Sequence, residues 1–148
     1  MPNRLAFRAN ALRDAREKAG LTQTQLARLI GVAGGERVSR WELGSSTPRA
    51  ATIGKLAKAL GIRVVDLLDG VDGAADLRLL RLEAGYDSRE TARRAHLAAA
   101  TYIRWEAGAF RKMPHDADLT PLASVLGVRL AELKEALEVS RSRRESAD

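Results

Sequence analysis

Leu12-x3-Arg16-x3-Gly20-Leu21-Thr22-Gln23-x2-Leu26-Ala27-x3-Gly31-Val32, followed by Ser39-Arg40-Trp41-Glu42-x-Gly44 and Pro48, is the stretch on which the fold of this chain turns. From Leu5 to Ala19 the residues suit a helix, and Gly20 stops it because glycine tolerates the left-handed conformation of a helix end. Thr22 opens a second helix as its N-cap, Gln25 completes a capping box, and Leu26, Leu29 and Ile30 form an apolar face. Gly31 ends that helix. After the pair Gly34-Gly35, a third runs from about Glu36 to Leu43, a fourth from about Ala51 to Leu60, and a short fifth from Val64 to Leu68. No strand signal competes with this reading.

Working outward, the same pattern recurs. Leu12, Arg16 and Gly20 reappear as Leu77, Arg81 and Gly85; Trp41-Glu42 as Trp105-Glu106; Pro48, Leu60, Gly61 and Leu67 as Pro114, Leu126, Gly127 and Leu133. The 148 residues therefore read as two tandem five-helix units, all-α, at 1–70 and 71–138, with a polar tail at 139–148 expected to fray. Each unit buries only a modest core, so contact between units or dimerisation is expected to add stability. The Gly/Asp-rich run from Asp69 to Ala75 reads as a short linker.

Composition narrows the chemistry. There is no cysteine, which removes disulfides, thiolate metal sites and cysteine nucleophiles. Nothing resembles a signal peptide or a bilayer-spanning run, and the expectation is a soluble, cytoplasmic, nucleoid-associated protein without membrane contact. Of the net charge of +6, residues 1–70 hold twelve Lys/Arg against six acids, whereas residues 71–138 are nearly balanced. A polyanionic partner should prefer the first unit.

Two short helices joined by a glycine turn make a helix-turn-helix, whose following helix enters the DNA major groove. The quoted string resembles the lambda-repressor and Cro-like (XRE) helix-turn-helix family over nearly the whole first unit. That resemblance implies a partly buried ion pair between Arg16 and Glu42, repeated as Arg81 and Glu106, with an architectural role. It implies base contacts from Gly35, Glu36, Arg37 and Arg40, and phosphate contacts from Gln23, Ser39, Ser45, Thr47 and Arg49. Arginine bridges guanine O6 and N7, and glutamate accepts from cytosine N4; Arg37 and Arg40 are equally able to neutralise phosphates. Leu12, Leu26, Leu29, Val38, Trp41, Leu56, Leu60 and Leu67 are assigned to the core. One departure is an extra residue between Val32 and Ser39, relative to the second unit, which leaves contacts near Glu36 uncertain by a position.

The second unit keeps the skeleton and loses the reading chemistry. Asp87 replaces the threonine cap and can pair with Glu90, Ser88 stands where Gln23 stood, and Ala98, Ala99 and Ala100 begin the third helix. Alanine at most touches a thymine methyl, and only Arg104 survives as a second-unit DNA contact. An interaction or dimerisation module is expected, with a protein partner for residues 71–138; the alternative is a degenerate DNA-binding half using Arg93, Arg94, Arg111 and Lys112 on phosphates. Tyr102 and Phe110 are core residues or partner anchors.

His115-Asp116-x-Asp118 reads as a helix start with capping acids before it reads as a metal site, and Pro121 should shorten the fourth helix of this unit. His96 and His115 are the only imidazoles, and no nucleophile or phosphate-loop motif is present. No enzyme, cofactor or metal is expected. The resemblance implies a sequence-specific regulator of transcription, a repressor by default, bound to double-stranded DNA as a homodimer on a pseudo-palindrome or with both units on adjacent grooves. The competing reading is a protein-interaction module, such as an antitoxin or a phage or plasmid adaptor, for which DNA is secondary.

Overall fold

Both repeats close around inward-facing leucines in the computed structural model, whose described residues are 6–69 and 74–147. These divide into two compact units. The expected helix start at Leu5 and linker residues Gly70 to Gly73 lie outside the described residues.

In the first unit, β1 (Ala6–Phe7) leads into α1 (Ala9–Lys18), α2 (Gln23–Ile30), α3 (Gly35–Leu43) and α4 (Ala50–Leu60), then a 3₁₀ turn (Val64–Leu67) and β2 (Leu68–Asp69). The two strands pair antiparallel, Ala6 opposite Asp69 and Phe7 opposite Leu68, so the expectation of no strand is corrected. Two residues per strand are too few to display an alternating pattern in sequence. The fifth helix is a single 3₁₀ turn, capped as Asp66 Oδ2 accepts from the Arg63 N–H at 2.9 Å.

Thr22 caps α2 as its sequence requires: Thr22 Oγ1 accepts from Gln25 N at 3.0 Å, and Gln25 Oε1 accepts from Thr22 N at 2.8 Å. Leu12, Leu26, Val38, Leu56 and Leu67 are fully buried, each worth roughly 1.5–3 kcal/mol of apolar transfer. Leu29 is not among them: it is 62% exposed, because in this short helix Leu26, Ala27 and Ile30 fill the inward side. Leu60 is half-buried.

The second unit runs α5 (Leu77–Ala84), α6 (Ser88–Arg94), α7 (Ala99–Glu106), α8 (Asp116–Leu126) and α9 (Leu130–Ala147). Its core gathers Leu77, Tyr102, Trp105, Leu119, Leu122, Leu133 and Leu137. Tyr102 is core and not a partner anchor, fully buried with its hydroxyl unpartnered among the described residues. Phe110 is half-buried beneath the Arg141 guanidinium, 5.7 Å from the ring centroid.

Two expectations fail here. Pro121 does not shorten α8, which has eleven residues like α4; the N–H that proline lacks would have met the carbonyl of exposed Ala117, where water can serve. The polar tail does not fray. It continues α9 to Ala147, packed on α5, α7 and α8. Buried Ser140 Oγ accepts from the Leu77 N–H at 3.1 Å, one of the free donors at the start of α5, and Arg143 reaches Asp76 Oδ2 at 2.6 Å. Gly108 seats the loop after α7 against this helix, since a Cβ there would lie 2.3 Å from the Ser140 carbonyl oxygen.

Candidate nucleic-acid interface

The surface built by α2, the following turn and α3 is set from behind. Trp41 and Val38 bury the inner side of α3, 6% and 0% exposed, and this turns Glu36, Arg37 and Arg40 outward. Glu42, the last acid of α3, is locked to α1: Arg16 donates from Nε to Oε2 at 2.8 Å and from Nη2 to Oε1 at 2.9 Å. The hydrogen bonds to Glu42 outweigh desolvation and raise the Arg16 pKa above its ordinary value. Arg81 and Glu106 repeat the arrangement in the second unit at 2.8 Å on both bonds. Burial acts to lower the Arg81 pKa, but the hydrogen bonds and charge of Glu106 prevail and leave it raised.

The expected base-contacting residues do come together. Gly35, Glu36, Arg37 and Arg40 line one shallow depression with Thr24 of α2. Glu36, Arg37 and Arg40 are exposed, and neither arginine is engaged in an ion pair among the described residues. Gly35 also has a packing role. A Cβ at that position would stand 2.9 Å from Thr24 Oγ1 and 3.0 Å from Thr24 N, so the missing side chain lets α3 start hard against α2. The Gly34-Gly35 pair thus accommodates the extra residue of this turn. Thr24 was overlooked in the sequence, where only the small residue facing it hints at the contact.

The expected phosphate-contacting positions lie on α2, α3 and the loop that follows. Gln23 is the first residue of α2, half-buried, beside free backbone N–H groups and the positive end of the helix dipole. Ser39 is half-buried on α3. Ser45, Thr47 and Arg49 are exposed on the loop to α4, whose course is fixed by buried Pro48 and by the Ser45 N–H donating to the Arg40 carbonyl at 2.9 Å. Hydroxyls, free amides and guanidinium groups that enter no ion pair among the described residues suit an extended polyanion.

The second unit repeats the frame with other side chains. Asp87 caps α6, accepting from Glu90 N at 2.7 Å; the capping box is not completed, because the Glu90 carboxylate is taken by Arg93 and Arg94 at 2.7 Å each. Those hydrogen bonds, Arg93 first, hold the Glu90 pKa below its ordinary value. Arg104 is exposed on the last turn of α7, behind exposed Ala98, Ala99 and Ala100 and 52%-exposed Ile103. His115 is the residue before α8 and makes no side-chain cap; Asp116 pairs with Lys134 Nζ at 2.7 Å, and no group of three metal-ligating side chains gathers among the described residues.

The sequence pattern of the helix-turn-helix family matches the chain twice, over residues 12–67 and 77–133. The chain belongs to the helix-turn-helix family. It is an XRE, lambda-repressor-like DNA-binding regulator with two tandem family units, in a family that is usually non-enzymatic. No curated protein and no solved structure matches the chain. No helix among the described residues is long and apolar enough to cross a membrane. In helix-turn-helix terms α2 and α3 are the motif of the first unit, and α6 and α7 that of the second.

Proposed function

We propose that the protein is a sequence-specific regulator of transcription, most simply a repressor, whose first unit inserts α3 into the major groove of its operator. The observation that carries this reading is the pair Arg37 and Arg40, exposed and in no ion pair among the described residues, on a helix whose other side is anchored by Val38 and Trp41. Arginine at such a position makes the bidentate guanine contact. Gln23, Ser39, Ser45, Thr47 and Arg49 fix register on the phosphates. One short helix reads few bases, so the protein acts as a homodimer on a pseudo-palindrome or places both units on adjacent grooves, and it resides with the nucleoid. Selection of binding sites from random duplex DNA by the full chain tests this. A recovered consensus with a fixed half-site spacing is the expected outcome, and unenriched sequence after selection would overturn it.

A second reading has its own support. Ile103 and the alanines of α7 leave an apolar face exposed in the second unit, as a protein-interaction module would. Stable co-purification of a protein partner, with no duplex binding at physiological salt, would favour that reading.

A further inference from the structure

We propose that the second unit is a sequence-blind DNA clamp, gripping the phosphate backbone through Arg89, Arg104, Arg111 and Lys112 while α7 reads nothing. The inference rests on the proposal that the first unit reads the operator. Near-neutrality of the second unit conceals a segregation of charge. Residues 88–112 carry six basic groups against Glu90 and Glu106, whereas residues 116–138 carry five acids against Arg129 and Lys134. Both acids of the basic segment are already spent, Glu106 on Arg81 and Glu90 on Arg93 and Arg94. Arg89, Arg104, Arg111 and Lys112 are exposed and belong to no ion pair among the described residues.

Their placement matters as much as their charge. Arg89 lies in the first turn of α6, Arg104 in the last turn of α7, and Arg111 and Lys112 in the loop beyond it. These elements correspond to the start of α2, the end of α3 and the loop to α4 in the first unit; Arg104 stands where Arg40 stands, but with Ala100 and Thr101 in place of Glu36 and Arg37 it has no charged neighbour to share in reading a base, and it serves a phosphate instead. Because Asp87 sets a carboxylate at the cap of α6, side-chain cations and not the free amides must meet the anion there.

The exposed apolar side chains of α7 and its cap account for the blindness. The side chains of Ala98, Ala99, Ala100 and Ile103 neither donate nor accept hydrogen bonds, so no side-chain donor on them is stranded whichever base edge lies opposite. A polar reader would penalise most sequences; methyl groups tolerate all of them. An acidic protein would meet the same charges, but cations spread over three separate elements before, at the end of and after α7 fit a continuous phosphate rail better than a single peptide groove.

Fluorescence anisotropy of the full chain on its selected operator and on a scrambled duplex, across a salt series, tests the clamp with the variant Arg104→Ala/Arg111→Ala/Lys112→Ala. Removing three phosphate contacts is expected to weaken both duplexes by the same factor, roughly tenfold or more, and to flatten the log–log salt slope by up to about 2.7. Charge reversal, Arg111→Glu/Lys112→Glu, should weaken both duplexes more than Arg111→Ala/Lys112→Ala does, with the thermal melt unchanged. Unaltered affinity and slope in all variants overturns the clamp, and loss of self-association in Ile103→Glu would then assign the face to protein. Loss confined to the operator also overturns it, since the unit would then be reading sequence. If the parent chain binds neither duplex, the operator-binding proposal itself fails; a parent that binds while the variants match it sinks the clamp alone.

Discussion

Arg16 holds Glu42 through Nε and Nη2 along one edge of its guanidinium and donates from Nη1 to the Leu21 carbonyl at 2.8 Å, so one side chain ties α1 to the entry of α2 and to the end of α3. The Glu42 side chain is only 4% exposed. Removing its partner therefore strands a carboxylate with little water to replace the lost bonds.

Arg16→Met is expected to destabilise the first unit by about 3–5 kcal/mol, and Arg16→Met/Glu42→Leu to recover most of that loss. Urea denaturation of the single and double variants measures it. A double variant no better than the single would mean that the Leu21 bond, and not the pair, carries the stability.

Arg40→Ala should cost about 1–3 kcal/mol of operator affinity and relax preference at one base position. Gln23→Ala should weaken every sequence alike, as loss of a phosphate contact does. Binding-site selection repeated with each variant separates the two; an unchanged consensus in Arg40→Ala would remove that arginine from the base-contacting set.

Tyr102→Phe addresses a buried hydroxyl without a partner among the described residues. Burial raises the pKa of this phenol far above its ordinary value of 10.0, with Glu106 adding to the effect. The folded chain thus keeps the proton where the unfolded chain releases it: the stabilisation is complete below the ordinary value and declines as pH rises past it. The phenylalanine variant should match or exceed the parent at neutral pH, by up to about 1–3 kcal/mol, and should lack this alkaline decline. Melting curves from neutral to alkaline pH are the measurement.

Ending the chain after Val139 should destabilise the second unit, since it removes the Ser140 bond to Leu77 N and the Arg143 bond to Asp76. Gly108→Ala, which drives a methyl group into the Ser140 carbonyl, should cost about 3 kcal/mol or more. Calorimetry of both variants is the check, with an undisturbed melt counting against the packing described for α9.

His96→Gly should stabilise the same unit. His96 holds φ of 58°, in the turn where the first unit uses Gly31 at 75°. Relief of that left-handed strain is worth about 1–2 kcal/mol, less what glycine adds to the freedom of the unfolded chain. The net gain is read from urea midpoints.

What was legible in the sequence was local or repeated. The Thr22–Gln25 capping box depends on residues three apart, and the Arg16–Glu42 pair was read from a resemblance that recurs in Arg81 and Glu106. The partners of the tail are 63 and 67 residues away, so Ser-Arg-Ser-Arg-Arg-Glu could be read only by composition, which favours solvent. Leu29 misled because an eight-residue helix does not fix the angular limits of its buried stripe. Gly35 reads in sequence as a DNA-facing position; that its small size also lets α3 start against α2 shows only in the fold.

The way each unit is fastened at its ends sets an order on biosynthesis. Ala6 waits for Asp69, and Leu77 waits for Ser140, so neither bundle is sealed until its last element has left the ribosome. The leading bundle can seal while the trailing one is still being translated, and a ribosome that stalls before Ser140 leaves a sealed first unit joined to an unlatched companion.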